Sequence, residues 1–349
     1  MNDKSGRWLV GFALLTVLPA TADSKVIEER KLPPTPWIDA GLGGRVTWTA
    51  VEEADADIRY IDLHLGEPGV VYGFAGDYHA SALAPDGCTA AFIAADDDWR
   101  GLMLVHLGPR ADNRCPVRLY KTPGLEPGLS WSTDGERVYF SLVEEPDPER
   151  IGLFLDSEDI ENDPLLRDLD RVGNLYYADA VTGETVPQSL EPGDYRWPCH
   201  LAGFGVVCAR RAWEEGAPRR LAYTHDAGVT TDLETPGDEL VAAPRRYPDD
   251  TLLLTVLRDG ERWFVRLDPR TAEVVAEAPG PPRVYNPVPD PVDPASGWYL
   301  CQTAPAPDPA AELVFVHGLL GEGAVEFLAL TDNDHYDGEP SWAVVELEY

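Results

Sequence analysis

A short phrase returns along the chain between residues 79 and 342, and it restricts the fold more than any other feature. ALAPDGCTAAFIA at 82–94 is an apolar stretch, a Pro-Asp-Gly turn and a second apolar stretch. LSWSTDGERVYFSL at 129–142 repeats it with Thr-Asp-Gly, and APRRYPDDTLLLTVL at 243–257 with Pro-Asp-Asp. Asp-Gly permits the positive φ of a tight reversal. Flanks rich in Val, Phe, Tyr, Trp and Leu suit half-buried strands. Each unit is therefore a small antiparallel sheet that cannot bury both faces alone, so successive units must stack. The 32 prolines and 31 glycines, many of them between strands, argue against a helical bundle.

Weaker copies complete the series. RWPCHLAGFGVVCAR at 196–210 has Ala-Gly-Phe-Gly in place of the turn, and VYNPVPDPVDPASGWYLCQ at 284–302 stretches it. Further apolar strands follow the units, such as GLMLVHL at 101–107, NLYYADAVTGE at 174–184 and ELVFVHG at 312–318. These units resemble the blade of the TolB-like (WD40-like) β-propeller family, which reads roughly P-x-W-S-P-D-G and then an apolar strand. The match is best from Ser81 to Phe92 and from Ser130 to Phe140. The spacing of roughly forty to fifty residues also fits propeller repeats.

The first unit lacks its opening strand. RVTWTAV at 45–51 and IRYIDLHLG at 58–66 read as later strands of a blade, while PSWAVVELEY at 340–349 supplies an opening strand at the other end of the chain. The expected class is all-β: a six-bladed β-propeller closed by pairing the C-terminal strand with the N-terminal blade, which removes two open sheet edges. A pair of β-sandwiches is the competing architecture. The expected organisation is a signal peptide at 1–22, an extension at 23–42, and the propeller at 43–349 with an acidic insertion at 144–173. Members of the resembled family usually carry an α/β domain before the propeller. Asp23 to Gly44 is too short for one, so that family's transport complex is not carried over.

Lys4 and Arg7, a largely apolar run from Trp8 to Pro19 and the small residues Ala20-Thr21-Ala22 read as a secretory signal cleaved near Ala22. The expectation is a periplasmic or extracellular protein with no membrane insertion after cleavage. Net charge is −33, with only four lysines: Lys4, Lys25, Lys31 and Lys121. Acids scattered through every loop favour a surface kept hydrated in high salt, with repulsion or attraction of a specific partner as the other reading. Nucleic acid is excluded as a partner because no basic stripe exists to neutralise phosphates. The five cysteines (Cys88, Cys115, Cys199, Cys208 and Cys301) leave two readings open. They are either disulfides, with Cys199–Cys208 and Cys88–Cys115 as pairings, or small buried hydrophobes.

Chemistry-bearing motifs are sparse. GLSWS at 128–132 ends in Ser where a nucleophile elbow needs Gly, and HGLLG at 317–321 reads as a connecting turn. The seven histidines show no metal-ligand spacing. His79 and His200 fall on opening strands, which line the channel of a propeller. With Trp131, Trp197 and Arg245 they are the candidate channel or rim residues. Asp332, Asp334 and Asp337 alternate oxygens before Gly338 and form a weak calcium candidate, one residue out of register and without the closing Glu. No other cofactor is expected. The resemblance implies a non-enzymatic module that binds an envelope or secreted protein or a small ligand. The alternative is a propeller lyase or hydrolase acting on sugar or peptide at the channel mouth.

Overall fold

The computed structural model describes residues 36–345, except for 53–54, 67, 73–76, 96–98, 108–116, 122–124, 126–127, 145–171, 190–192, 213–216, 226–227, 294, 306–310, 322 and 334–335. The signal segment at 1–22, most of the extension at 23–42 and nearly all of the insertion at 144–173 therefore lie outside the described residues. A short helix, Pro36–Asp39, buries Trp37 and leads into the first strand. No helix among the described residues is long and apolar enough to cross a membrane.

The strands form six antiparallel sheets, the blades of a propeller. The second blade runs Asp77–Leu83, Thr89–Ala95, Arg100–His106 and Val117–Lys121 in simple up-and-down order. The third, fourth and sixth repeat that order, opening at Ser130–Trp131, Asp194–Leu201 and Tyr285–Pro289. The fifth blade has five strands, because Glu239–Leu240 and Arg245–Arg246 both pair with Leu252–Arg258. The first blade takes its innermost strand, Tyr336–Ala343, from the far end of the chain. Its register sets Val46 opposite Trp342, Thr47 opposite Ser341 and Val51 opposite Tyr336.

Burial follows from stacking. Among the described residues six separate apolar clusters occur, each drawn from two neighbouring blades. Leu104 of the second blade joins Phe140 of the third. At the closing seam, Phe315 of the sixth blade packs with Val46 and Trp342 of the first. A β-sandwich would bury one continuous core between two sheets. Six junctions, including the sixth-to-first seam, describe a closed ring.

The turns explain why the repeat tolerates variation. Gly87 and Gly135 take the left-handed conformation at φ 65° and 74°. In the fifth blade Asp250 takes it instead, at φ 61°, while the Asp249 side chain accepts from the Thr251 amide at 3.1 Å. Aspartate accepts this backbone better than most residues because its short polar side chain bonds locally.

The four described cysteines, Cys88, Cys199, Cys208 and Cys301, are free thiols, and Cys115 lies outside the described residues. The strands explain why Cys199 and Cys208 stay apart. Cys199 sits opposite Val207, so Cys208, one residue on, faces the other side of the sheet. Cys199 packs towards the fifth blade and Cys208 towards the third.

Candidate binding cavity at the channel mouth

The innermost strands are interrupted by a recurring bulge. The ladder slips between His79 and Ala82, between Arg196 and Cys199, between Tyr285 and Val288, and opposite Thr47 and Thr49. The bulged residues Ala80, Trp197, Asn286 and Glu339 all have positive φ, between 47° and 54°. Gly128 holds the same place in the third blade at φ 105°. A Cβ there would stand 2.7 Å from Trp197 Cδ1, so only glycine lets the third and fourth blades approach this closely. A bulge frees backbone groups, and the neighbouring blade satisfies them. The Glu339 carboxylate accepts from the Ala80 amide at 2.8 Å and from Thr49 Oγ1 at 3.0 Å.

Beyond the bulge, the ends of all six innermost strands border one cavity of about 450 Å³. Successive blades contribute Ala82, Ser130, Cys199, Arg245, Val288 and Ser341, each followed by its next residue. Trp131 and Trp342 form part of the wall, and both are tied to backbone. Trp131 Nε1 donates to the Ala82 carbonyl at 3.0 Å, and Trp342 Nε1 donates to the Gly43 carbonyl at 2.8 Å.

No protein-family model and no curated protein matches the chain in sequence. Solved structures match it in shape. TolB from Acinetobacter baumannii superposes with a TM-score of 0.63 at 15% identity, over 86% of this chain and 67% of that one. The fold is that of a TolB-like β-propeller. An oligogalacturonate lyase in complex with manganese gives a TM-score of 0.53 at 15% identity, over 82% of this chain and 74% of that one. Hydrazine synthase from Kuenenia stuttgartiensis gives 0.61 at 10% identity, over 87% of this chain and 47% of that one. One architecture thus serves unrelated chemistries, and identities this low establish the fold alone.

Within this TolB-like propeller, Trp131, His200 and Arg245 border the mouth cavity, whereas Trp197 does not. Trp197 is the bulged residue itself, and its ring lies against Gly128 and beneath the Arg219 guanidinium, 5.6 Å from the ring centre. The two histidines also occupy different places along their strands: aligned on the turns, His200 matches Leu83, four residues beyond His79, with the bulge between the two places. His79 precedes it, in register with Ile93, and His200 follows it, in register with Val206, so their backbones stand at different levels. His200 stacks on Tyr139 with ring centres 5.3 Å apart, and its Nδ1 accepts from the Thr133 amide at 3.2 Å. Acceptance at Nδ1 places the neutral ring's proton on Nε2.

The acidic loop is divided as well. Asp332 is exposed and Asp334 lies outside the described residues. Asp337 is fully buried, with one oxygen accepting from Trp48 Nε1 at 2.9 Å and the other from Asn333 Nδ2 at 2.7 Å. Among the described residues no three His, Cys, Asp or Glu side chains gather closely enough to hold a metal ion.

Arg246, Ser341 and Trp342 also line the cavity, and motif reading missed them. An alignment of the units on their opening strands points to them. Arg245-Arg246 stands where other blades carry Ala82-Leu83, Ser130-Trp131 and Ser341-Trp342. Arg245 is half-buried, and burial lowers its pKa, opposed by the fields of Cys199 and Glu339. The Cys199 thiol beside it is pushed up to about 11 by burial, so it stays protonated and is no nucleophile at neutral pH.

Proposed function

We propose that this chain is an exported binding module, not an enzyme, and that its ligand or partner segment is received at the channel mouth. One observation carries the reading: all six blades converge on a single 450 Å³ cavity with tethered indole walls. A volume of this size lies within the range of small-molecule sites, roughly 300–1,000 Å³. Trp131 and Trp342 supply rigid apolar area at little entropic cost. Export rests on the basic, apolar and small-residue pattern of residues 4–22.

A second reading, a lyase or hydrolase acting at the same mouth, draws on the fold shared with an oligogalacturonate lyase. Proton transfer needs an acid and a base within reach of one reacting atom. Here the His200 Nδ1 is occupied by the Thr133 amide, and Asp250, an acid bordering the cavity, faces Arg270 at 3.2 Å. That arrangement supports binding over turnover.

The test incubates the chain from Asp23 onward with glycan and peptide libraries, with and without added divalent metal. The expected result is retention of specific components without product formation. Thr133→Trp, which fills the mouth from a turn, should abolish retention. Product formation that the same substitution blocks would establish the enzyme instead.

A further inference from the structure

We infer that the mouth cavity takes a carboxylate-bearing organic molecule, its anionic group held by Arg245 and Arg246 and its body lying against the indole and proline walls. This deepens the binding-module reading and rests on it.

The two arginines are the exception among the described residues. Among the described residues, no hydrogen bond, ion pair or aromatic ring engages either guanidinium, although both side chains are half-buried. Every other half-buried arginine described has such a partner. Arg196 meets Asp194 at 2.6 Å, Arg258 meets Glu277 at 2.9 Å and Arg262 lies 3.9 Å from the Tyr285 ring centre. A chain with net charge −33 has acids to spare, yet none of those described forms an ion pair with either cation, and the Glu339 carboxylate acts on Arg245 only through its field. The nearby acids are already engaged. Asp250 faces Arg270, Asp249 faces Arg266, and the Glu339 carboxylate accepts from the Ala80 amide and Thr49.

The fold does not require arginine there. The equivalent pairs in other blades are Ala82-Leu83, Ser130-Trp131, Cys199-His200, Val288-Pro289 and Ser341-Trp342, none of which carries a fixed charge. An unpaired cation away from bulk water is unfavourable unless something compensates it. Guanidinium groups match oxyanions by paired N–H donors. An acidic surface around a basic mouth also makes the mouth a local electrostatic exception, where an anion is attracted only at short range.

Two features favour a carboxylate over a phosphate. A phosphate group carries nearly twice the charge and is repelled more by a strongly acidic protein. The walls supply apolar surface from Trp131, Trp342, Pro198 and Val288, which suits an organic body more than an inorganic ion.

The experiment compares acetate with acetamide and hippurate with hippuramide at constant ionic strength, by calorimetry and by indole fluorescence. Inorganic phosphate is the competing anion. The variant is R245Q/R246Q. Because neither guanidinium has a partner among the described residues, this variant should unfold at or above the wild-type temperature. The wild type should bind hippurate at least tenfold more tightly than hippuramide and acetate in preference to acetamide, and the variant should lose both preferences.

Amides that bind as well as acids, an unchanged preference in the variant, no binding of either carboxylate, or phosphate displacing hippurate would each overturn the inference. The two readings separate cleanly. Arginine-dependent hippurate binding followed by its consumption, seen by NMR, would leave the carboxylate site standing and remove the binding-module reading. Equal binding of acid and amide without consumption would do the reverse.

Discussion

Trp342 lies directly opposite Val46 in one antiparallel sheet, and its indole N–H reaches the Gly43 carbonyl at 2.8 Å. The last strand of the chain is thereby bonded to the first, and the ring of blades is shut. The indole also meets Phe315 of the sixth blade, with ring centres 5.1 Å apart and planes at 62°. One side chain thus joins the closing strand to both blades at the seam.

Trp342→Ala should therefore destabilise the protein by about 3–5 kcal/mol, the usual effect of emptying a large aromatic site in a core. Trp342→Phe should cost about 1–3 kcal/mol, chiefly through the Gly43 carbonyl left unpaired. Urea unfolding measures both. Removal of residues 336–349 exposes the Arg45–Glu52 edge, and light scattering should show self-association. A monomer of unchanged stability would contradict the closure.

Asp194 organises the fourth blade. It is buried, lies across from Arg211, which in turn lies across from Arg219, and its carboxylate stands 2.6, 3.1 and 3.4 Å from Arg196, Arg211 and Arg219. Asp194→Ala leaves three neighbouring cations without their shared anion. The expected loss is about 3 kcal/mol, at the lower end for broken buried pairs because the arginines are partly exposed. Added salt should recover part of the loss in denaturant midpoint.

Acid dependence divides the carboxylates into two groups. Burial raises the pKa of Asp290, although the Val292 and Asp293 amides and the Ser296 hydroxyl bond to its charged form. A raised carboxyl pKa means that its contribution to stability is present at low pH and falls as pH rises through the folded value. Asp134 is the opposite case. Its pKa is lowered by the Ser132 hydroxyl and the Glu136 amide, so its contribution is present at neutral pH and is lost below the ordinary carboxylate range. Asp290→Asn should thus equal or exceed the wild type in urea midpoint at pH 7, and the gap should close towards pH 3. A variant weaker at pH 7 and equal at pH 3 would reverse the sign.

Thiol labelling checks the cysteine environments. Burial pushes Cys199 up to about 11 and Cys208 up to about 12, and it raises Cys301 well above the ordinary thiol value. Cys88 is half-exposed, and burial followed by the field of Asp86 raises it less. Iodoacetamide should modify Cys88 in the native protein, while Cys199, Cys208 and Cys301 label only on unfolding. Mass spectrometry of the native protein showing Cys199 modified as fast as Cys88 would refute this burial pattern.

Part of the cavity is legible in the sequence. Trp131 and His200 were reachable because each sits two residues before a turn, and Arg245 because it sits three before one, and repeats carry equivalent residues to equivalent places. Arg246 was reachable by the same alignment but carries no motif of its own, and Trp342 was reachable by the P-x-W spacing of residues 340–342. His79 and His200 looked equivalent because both lie on opening strands. Aligned on the turns they are not: His200 matches Leu83, four residues beyond His79, and the bulge falls between the two places. Asp337 looked like a ligand because its neighbours are acidic, yet the strand carries it inward to Trp48.

Blade number, turn positions and the missing opening strand are local properties, written in the alternation of apolar runs and turn residues, so they survive in one dimension. Which side chains face a common space depends on bulges, strand faces and the approach of blades far apart in the chain. Arg245 and Arg246 are ordinary residues of a repeat until six strand ends are brought together around them. Only that convergence, in which no described carboxylate forms an ion pair with either one, turns two arginines into a site.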